Sequence, residues 1–140
     1  MTRRAWVDIR DRRTGALLVQ RARWCASFMT RLQGLMFRRP LRDGEALVLV
    51  EARDSRVSTS IHMFAVSFPI AAVWINDAGR VVDKVLALPW RPYYAPREPA
   101  RYILEAQPEF LERVTIGDEV AFEDISGAAA GPRRAAPGAD

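Results

Sequence analysis

Residues 70–88 constrain the fold more than any other stretch of the chain. Ala71-Ala72-Val73-Trp74-Ile75 is an unbroken apolar run, Asn76-Asp77-Ala78-Gly79 is turn chemistry, and Arg80-Val81-Val82-Asp83-Lys84-Val85-Leu86 returns with β-formers. Gly79 supplies the positive φ that such a turn requires, at no steric cost. Two strands cannot bury their own faces, so the rest of the chain has to supply further sheet.

It does so in short pieces. Trp6-Val7-Asp8-Ile9 alternates apolar and polar, Asp11 to Gly15 is turn chemistry, and Ala16-Leu17-Leu18-Val19 follows, which predicts a second hairpin. Ala46-Leu47-Val48-Leu49-Val50 reads as a strand buried on both faces. Residues 57–64 are rich in β-formers and are expected to be extended. Arg101-Tyr102-Ile103-Leu104-Glu105 and Val120-Ala121-Phe122 complete the set. Two short helices are expected. One is capped by Ser27 and stopped at Gly34, and the other is started by Pro108 and runs to about Val114. Trp24 and Cys25 lie at the start of the first. The fold class is mainly β, a β-sandwich or partly closed barrel with two short helices.

The chain has 140 residues, 49% of them hydrophobic, enough for one domain with its own core. We place that domain at residues 1–125. Residues 126–140 are Gly, Ala, Pro and Arg without apolar pattern, and are expected to be a disordered tail. Cys25 is the only cysteine, so no intrachain disulfide forms. The first residues carry no apolar run behind their arginines, and no stretch approaches the ~20 apolar residues of a membrane helix. A cytoplasmic protein without a membrane span is the expectation. Charge is uneven: thirteen arginines face six acids in the first sixty residues, and eight cations face eleven acids after them. Such polarity can attract an acidic partner, although a set of solvated arginines is the plainer reading.

Two segments carry a family resemblance. One is Arg31 with Gly34-Leu35-Met36-Phe37-Arg38, then Leu41, Asp43-Gly44-Glu45 and the strand 46–50. The other is Ser60-Ile61-His62-Met63-Phe64, followed by Phe68-Pro69-Ile70, the strand 73–75, Gly79 and Val81. With Tyr102-Ile103-Leu104-Glu105 and Ile116-Gly117-Asp118, this ordered series resembles domain of unknown function 192, or uncharacterised protein family 0127, in its Ser-Ile-His branch. The resemblance covers roughly residues 24–122 and implies a mainly β fold with small helices. The chain departs from it at Ala71, where the family has aspartate after Pro-Ile, and near Gln107, where the family has glycine.

Several side chains have working chemistry. His62, the only histidine, is a candidate general base, and Ser60 lies on its side of an extended segment. Against this, no nucleophile elbow and no third member are evident, and hydrogen bonding within the sheet is the plainer reading. One histidine and one remote cysteine do not make a metal site, so no metal or cofactor is expected. Cys25 reads as a buried, inert thiol. Arg38 offers a fork of donors for carboxylate or phosphate. The loop 89–99 has four prolines and carries Trp90, Tyr93 and Tyr94, which can bind ring faces or, alternatively, seal one end of the barrel. Glu105 ends an apolar strand, where an arginine such as Arg38 or Arg31 can pair with it.

Together, Arg38, His62, Trp90, Tyr93 and Glu105 suggest a non-catalytic binding module for a small anionic or glycan-like ligand, or for a protein partner. The alternatives are a hydrolase-type enzyme using His62 with Ser60, and weak nucleic-acid binding through the arginine-rich N-terminal half. The last ranks lowest, because no nucleic-acid motif accompanies the arginines.

Overall fold

A computed structural model describes residues 5–26 and 40–127. They form seven strands: β1 (Trp6–Asp11), β2 (Leu17–Cys25), β3 (Ala46–Ser55), β4 (Ile70–Ile75), β5 (Val81–Ala87), β6 (Ala100–Ala106) and β7 (Val120–Asp124). A short 3-10 helix, Pro108–Glu112, precedes β7. The strands make one sheet in the order β5-β4-β6-β3-β2-β1-β7. Every pairing is antiparallel except β2 with β3. The hairpins expected at both ends of the reading are present, and Gly79 has φ 87° at the β4–β5 turn. No helix among the described residues is long and apolar enough to cross a membrane.

The sheet curls until its two outer strands meet at one end. Arg80 and Glu119 form an isolated bridge, the Val81 N–H donates to the Asp118 carbonyl (2.8 Å), and the Val120 N–H donates to the Gly79 carbonyl (2.8 Å). A Cβ on Gly79 would sit 2.6 Å from the Val120 carbonyl oxygen, so glycine is required there for space as well as for φ. This is the partly closed barrel of the two architectures expected.

Alternation along the strands then divides the core in two. Val7, Ile9, Val48, Val73, Val81, Leu104 and Val120 fill the barrel, joined by Phe110 and Val114 from the 3-10 region. Trp24, Tyr102 and Phe122 close one another's rings there, with centroids 4.8–5.7 Å apart. The outer face of β3, β4 and β6 carries a second apolar cluster, including Leu47, Leu49, Ala72, Trp74 and Ile103. Ile61, Met63, Val66 and Phe68 cover it, each buried. Full burial of such side chains stabilises by roughly 1.5–3 kcal/mol each, which seats this cover firmly.

Several expectations need correction. Residues 57–64 do not form a strand. The Thr59 hydroxyl donates to the Ser55 carbonyl (2.6 Å), the Ser60 hydroxyl donates to the Val57 carbonyl (2.7 Å), and the Ser58 N–H donates to the Ser55 hydroxyl (3.0 Å). Hydroxyls that bond their own backbone draw a segment into turns despite its β propensity. Cys25 ends β2 rather than starting a helix. It is fully buried, because the parallel pairing with β3 carries β2 as far as Cys25 opposite Leu49. The helix expected over residues 27–33, and the segment from Gly34 to Arg38, lie outside the described residues. At the start of the expected tail, the Ser126 hydroxyl accepts from the Ala5 and Trp6 N–H groups (2.8 and 3.1 Å), and residues 128–140 lie outside the described residues.

Candidate functional site

The segment 61–64 and the proline-rich loop are sewn together by their backbones. Ile61 and Tyr94 exchange hydrogen bonds (2.8 and 2.9 Å), the Met63 N–H donates to the Arg91 carbonyl (2.8 Å), and the Trp90 N–H donates to the Met63 carbonyl (2.9 Å). Residues alternate along such a ribbon. Ile61 and Met63 therefore point into the outer cluster, while His62 and Phe64 point away from it and are exposed. Their rings lie 5.2 Å apart. Tyr93 is the next residue opposite His62 along the ribbon. The far end of the loop is anchored as well, since the Arg97 N–H donates to the Asp83 carboxylate and the Arg56 guanidinium donates to the Pro96 carbonyl.

The result is a clasp with an aromatic outer surface. Trp90 is 60% exposed and Tyr93 64% exposed, so neither seals the barrel. Trp24, Tyr102 and Phe122, by contrast, pack against one another at the core. Tyr94 turns inward instead, and its hydroxyl accepts from the Leu88 N–H (2.9 Å). Trp90 also has φ 63°, and Ala65, just past Phe64, has φ 57°. Left-handed backbone at a bulky side chain costs of order 1 kcal/mol and persists only where the surroundings impose it. Here the Trp90 N–H is held by the Met63 carbonyl while the indole is exposed.

His62, Phe64, Trp90, Arg91 and Tyr93 are all exposed, and among their rings His62 and Phe64 lie against each other. Phe64 was visible only as an apolar residue beside the histidine. What could have flagged it is the alternation of Ile61 and Met63 inward against His62 and Phe64 outward. Ser60 does not join His62. The Ser60 hydroxyl is spent on the Val57 carbonyl, and His62 Nδ1 accepts the Phe64 N–H (3.2 Å). No group of three or more His, Cys, Asp or Glu among the described residues is placed to hold a metal ion.

Glu105 stands apart from the clasp. The register pairs it with Leu47 on one side and Ala72 on the other, so it emerges on the outer face of the sheet beneath the cover. It is 6% exposed; no described residue bonds to it, and no buried side-chain polar atom is left without a partner. Burial pushes its carboxyl up to about 7. Arg38 and Arg31, the expected partners, lie outside the described residues. Ala71, the position where the resembling family has aspartate, is fully buried and faces the barrel interior, away from both Glu105 and the clasp.

Part of the basic first half meets acids of the second half in space. β1 pairs with β7, which sets the basic first half against the acidic second half. Arg10 pairs with Glu123 (3.0 Å) and Arg12 with Glu119 (3.7 Å).

Comparison with known proteins agrees with the fold and the resemblance. A protein of Pyrococcus furiosus in uncharacterised protein family 0127 is 33% identical over 102 residues, covering 71% of this chain and 84% of its own. One from Thermococcus kodakarensis is 38% identical over 98 residues, covering 69% of this chain and 60% of its own. A crystal structure from Sinorhizobium meliloti, described as a candidate transcription regulator, superposes with a TM-score of 0.74 at 20% identity, over 87% of this chain and 97% of that one. At that identity the likeness concerns the fold alone. The model of domain of unknown function 192, described as Uncharacterized ACR, matches residues 9–122, and the chain belongs to that family.

Proposed function

We propose that the chain is a non-catalytic binding module whose clasp holds a glycan-like ligand, with room for an anionic substituent, against Trp90, Tyr93 and Phe64. The observation that carries this reading is Trp90: a bulky indole, 60% exposed, held in left-handed backbone by a hydrogen bond to Met63. Water-facing aromatic surface is costly to maintain, and an exposed aromatic cluster is the usual mark of a binding surface. Flat aromatic faces suit the apolar faces of sugar rings. Arg91, exposed beside them, supplies a cation for a carboxylate or phosphate on the ligand.

Tryptophan fluorescence tests this directly. Trp74 is buried and Trp6 and Trp24 are half-buried, so Trp90 is the indole a surface ligand would quench. Titration with neutral and acidic oligosaccharides and with sugar phosphates should change the emission in a saturable way. Trp90→Ala should abolish the change. A flat response across the panel would argue against a small-molecule site and leave a protein partner as the occupant.

A further inference from the structure

We propose that His62 is the hydrogen-bond donor of the clasp, and that it selects an anionic oxygen, a carboxylate or a phosphate, on the ligand that lies against the aromatic rings. This inference deepens the binding reading above and rests on it.

The local chain decides which ring nitrogen is on offer. His62 Nδ1 accepts the Phe64 N–H (3.2 Å). A nitrogen that accepts carries a lone pair, so the neutral ring keeps its proton on Nε2. The same bond sets the direction of the ring. It returns the side chain to the backbone two residues on and lays it beside the Phe64 ring, with centroids 5.2 Å apart. Ile61 and Met63 are buried on either side, while His62 and Phe64 are exposed. With Nδ1 turned to the chain, Nε2 at the far end of the ring is the nitrogen presented outward.

The rest of the clasp decides what such a donor suits. The two segments that build it, residues 57–69 and 88–97, contain Arg91 and Arg97 and no acid. Both arginines are exposed. The carboxylate that the loop does reach, Asp83, is buried and accepts the Lys84 and Arg97 N–H groups, so it is committed to backbone. The nearby hydroxyls are engaged as well. Ser60 donates to the Val57 carbonyl, and Tyr94 accepts from the Leu88 N–H. An outward N–H in the company of cations favours an acceptor with negative charge. A hydrogen bond to a charged oxygen is also worth more than one to a neutral hydroxyl. A ring ligand that carries an oxyanion therefore gains twice over a neutral one, from His62 and from the arginines.

His62 is the only histidine, so nitrogen NMR of its imidazole reads the donor without ambiguity. In the free full chain, at a pH where the ring is neutral, the proton should sit on Nε2 and Nδ1 should be bare. A uronic-acid disaccharide should quench Trp90 and shift Nε2, while Nδ1 holds. Two variants then separate the nitrogens. In His62→Asn the side-chain oxygen still takes the Phe64 N–H, since asparagine bonds the backbone two residues on, but the outer donor is gone. Affinity for the acidic disaccharide should fall about thirtyfold, and for its neutral counterpart by no more than about fivefold. His62→Gln reaches as far as Nε2 and keeps a donor there, so it should hold the acidic disaccharide within about fivefold of the wild type. A proton on Nδ1, quenching without a change at Nε2, equal losses or none for the two disaccharides in His62→Asn, or a His62→Gln as weak as His62→Asn would each overturn the donor role and leave the binding reading standing. A panel in which nothing quenches Trp90 would overturn the binding reading, and the donor role with it.

Discussion

Lys84 and Glu105 flank the same strand and face opposite ways. Lys84 sits on β5 opposite Val73, and Glu105 sits on β6 opposite Ala72. The lysine reaches across the barrel's interior side to the 3-10 region, where its Nζ donates to the Leu111 carbonyl (2.7 Å) and the Val114 carbonyl (2.8 Å). It satisfies carbonyls that a short helix leaves free at its end. The glutamate faces the outer cluster and satisfies nothing among the described residues. Of two charged side chains on one sheet, one is a strut between described residues, and the other has its carboxyl raised by burial with no described partner.

The largest expected effect tests the glutamate. Its folded value, about 7, lies above the ordinary 4.5, so the folded state holds the proton more tightly than the unfolded chain does. The stabilisation is complete below the ordinary value, declines as pH rises, and is gone once pH passes the folded value. The span corresponds to about 3 kcal/mol. Other carboxylates titrate too, so the comparison to make is with Glu105→Leu. Denaturant unfolding at about pH 4.5 should find the two proteins close, and at about pH 8.5 should find the variant more stable by about 3 kcal/mol. Equal stabilities at the higher pH would mean that Glu105 has a partner in solution and that the contrast with Lys84 is false.

The lysine should answer with the opposite sign. Lys84→Met keeps the aliphatic stem and removes the donors, which strands the Leu111 and Val114 carbonyls. A loss of about 2 kcal/mol is expected, at every pH from about 5 to 9. A variant as stable as the wild type would show that water serves those carbonyls equally well, and that Lys84 is no strut.

The same contrast marks what the sequence could reveal. The hairpin around Asn76 to Gly79 and the doubly buried run at Ala46 to Val50 are local signals, and both stand in the structure. The strand order was not readable. It depends on the parallel pairing of β2 with β3 and on the seam where Gly79 meets Val120, and such contacts leave no local pattern. Residues 57–64 misled because β propensity describes a side chain's fit to a pleated surface, whereas two hydroxyls there fold back on nearby backbone and a third, on Ser55, takes the Ser58 N–H. Of the proposed site, His62, Trp90 and Tyr93 could be picked out by residue type alone, and Phe64 could not. Glu105 was visible as an acid ending an apolar strand, but its face follows from the register, which needs the neighbouring strands.

The smallest expected effect separates support from function at the clasp. At 60% exposure the Trp90 side chain contributes little burial, and at φ 63° its backbone is in a region where glycine is at ease. Trp90→Gly relieves that strain and gives the unfolded chain more freedom, two effects of opposite sign. The net change in stability should stay within about 0.5 kcal/mol of zero. The ligand-dependent change in fluorescence should vanish with the indole, so binding has to be followed by calorimetry, where the heat of binding should vanish as well. Stability kept and binding lost would set Trp90 apart from Lys84, as a residue carried for binding. A loss of about 2 kcal/mol or more would place it with Lys84 instead, as a group the clasp needs merely to stay folded.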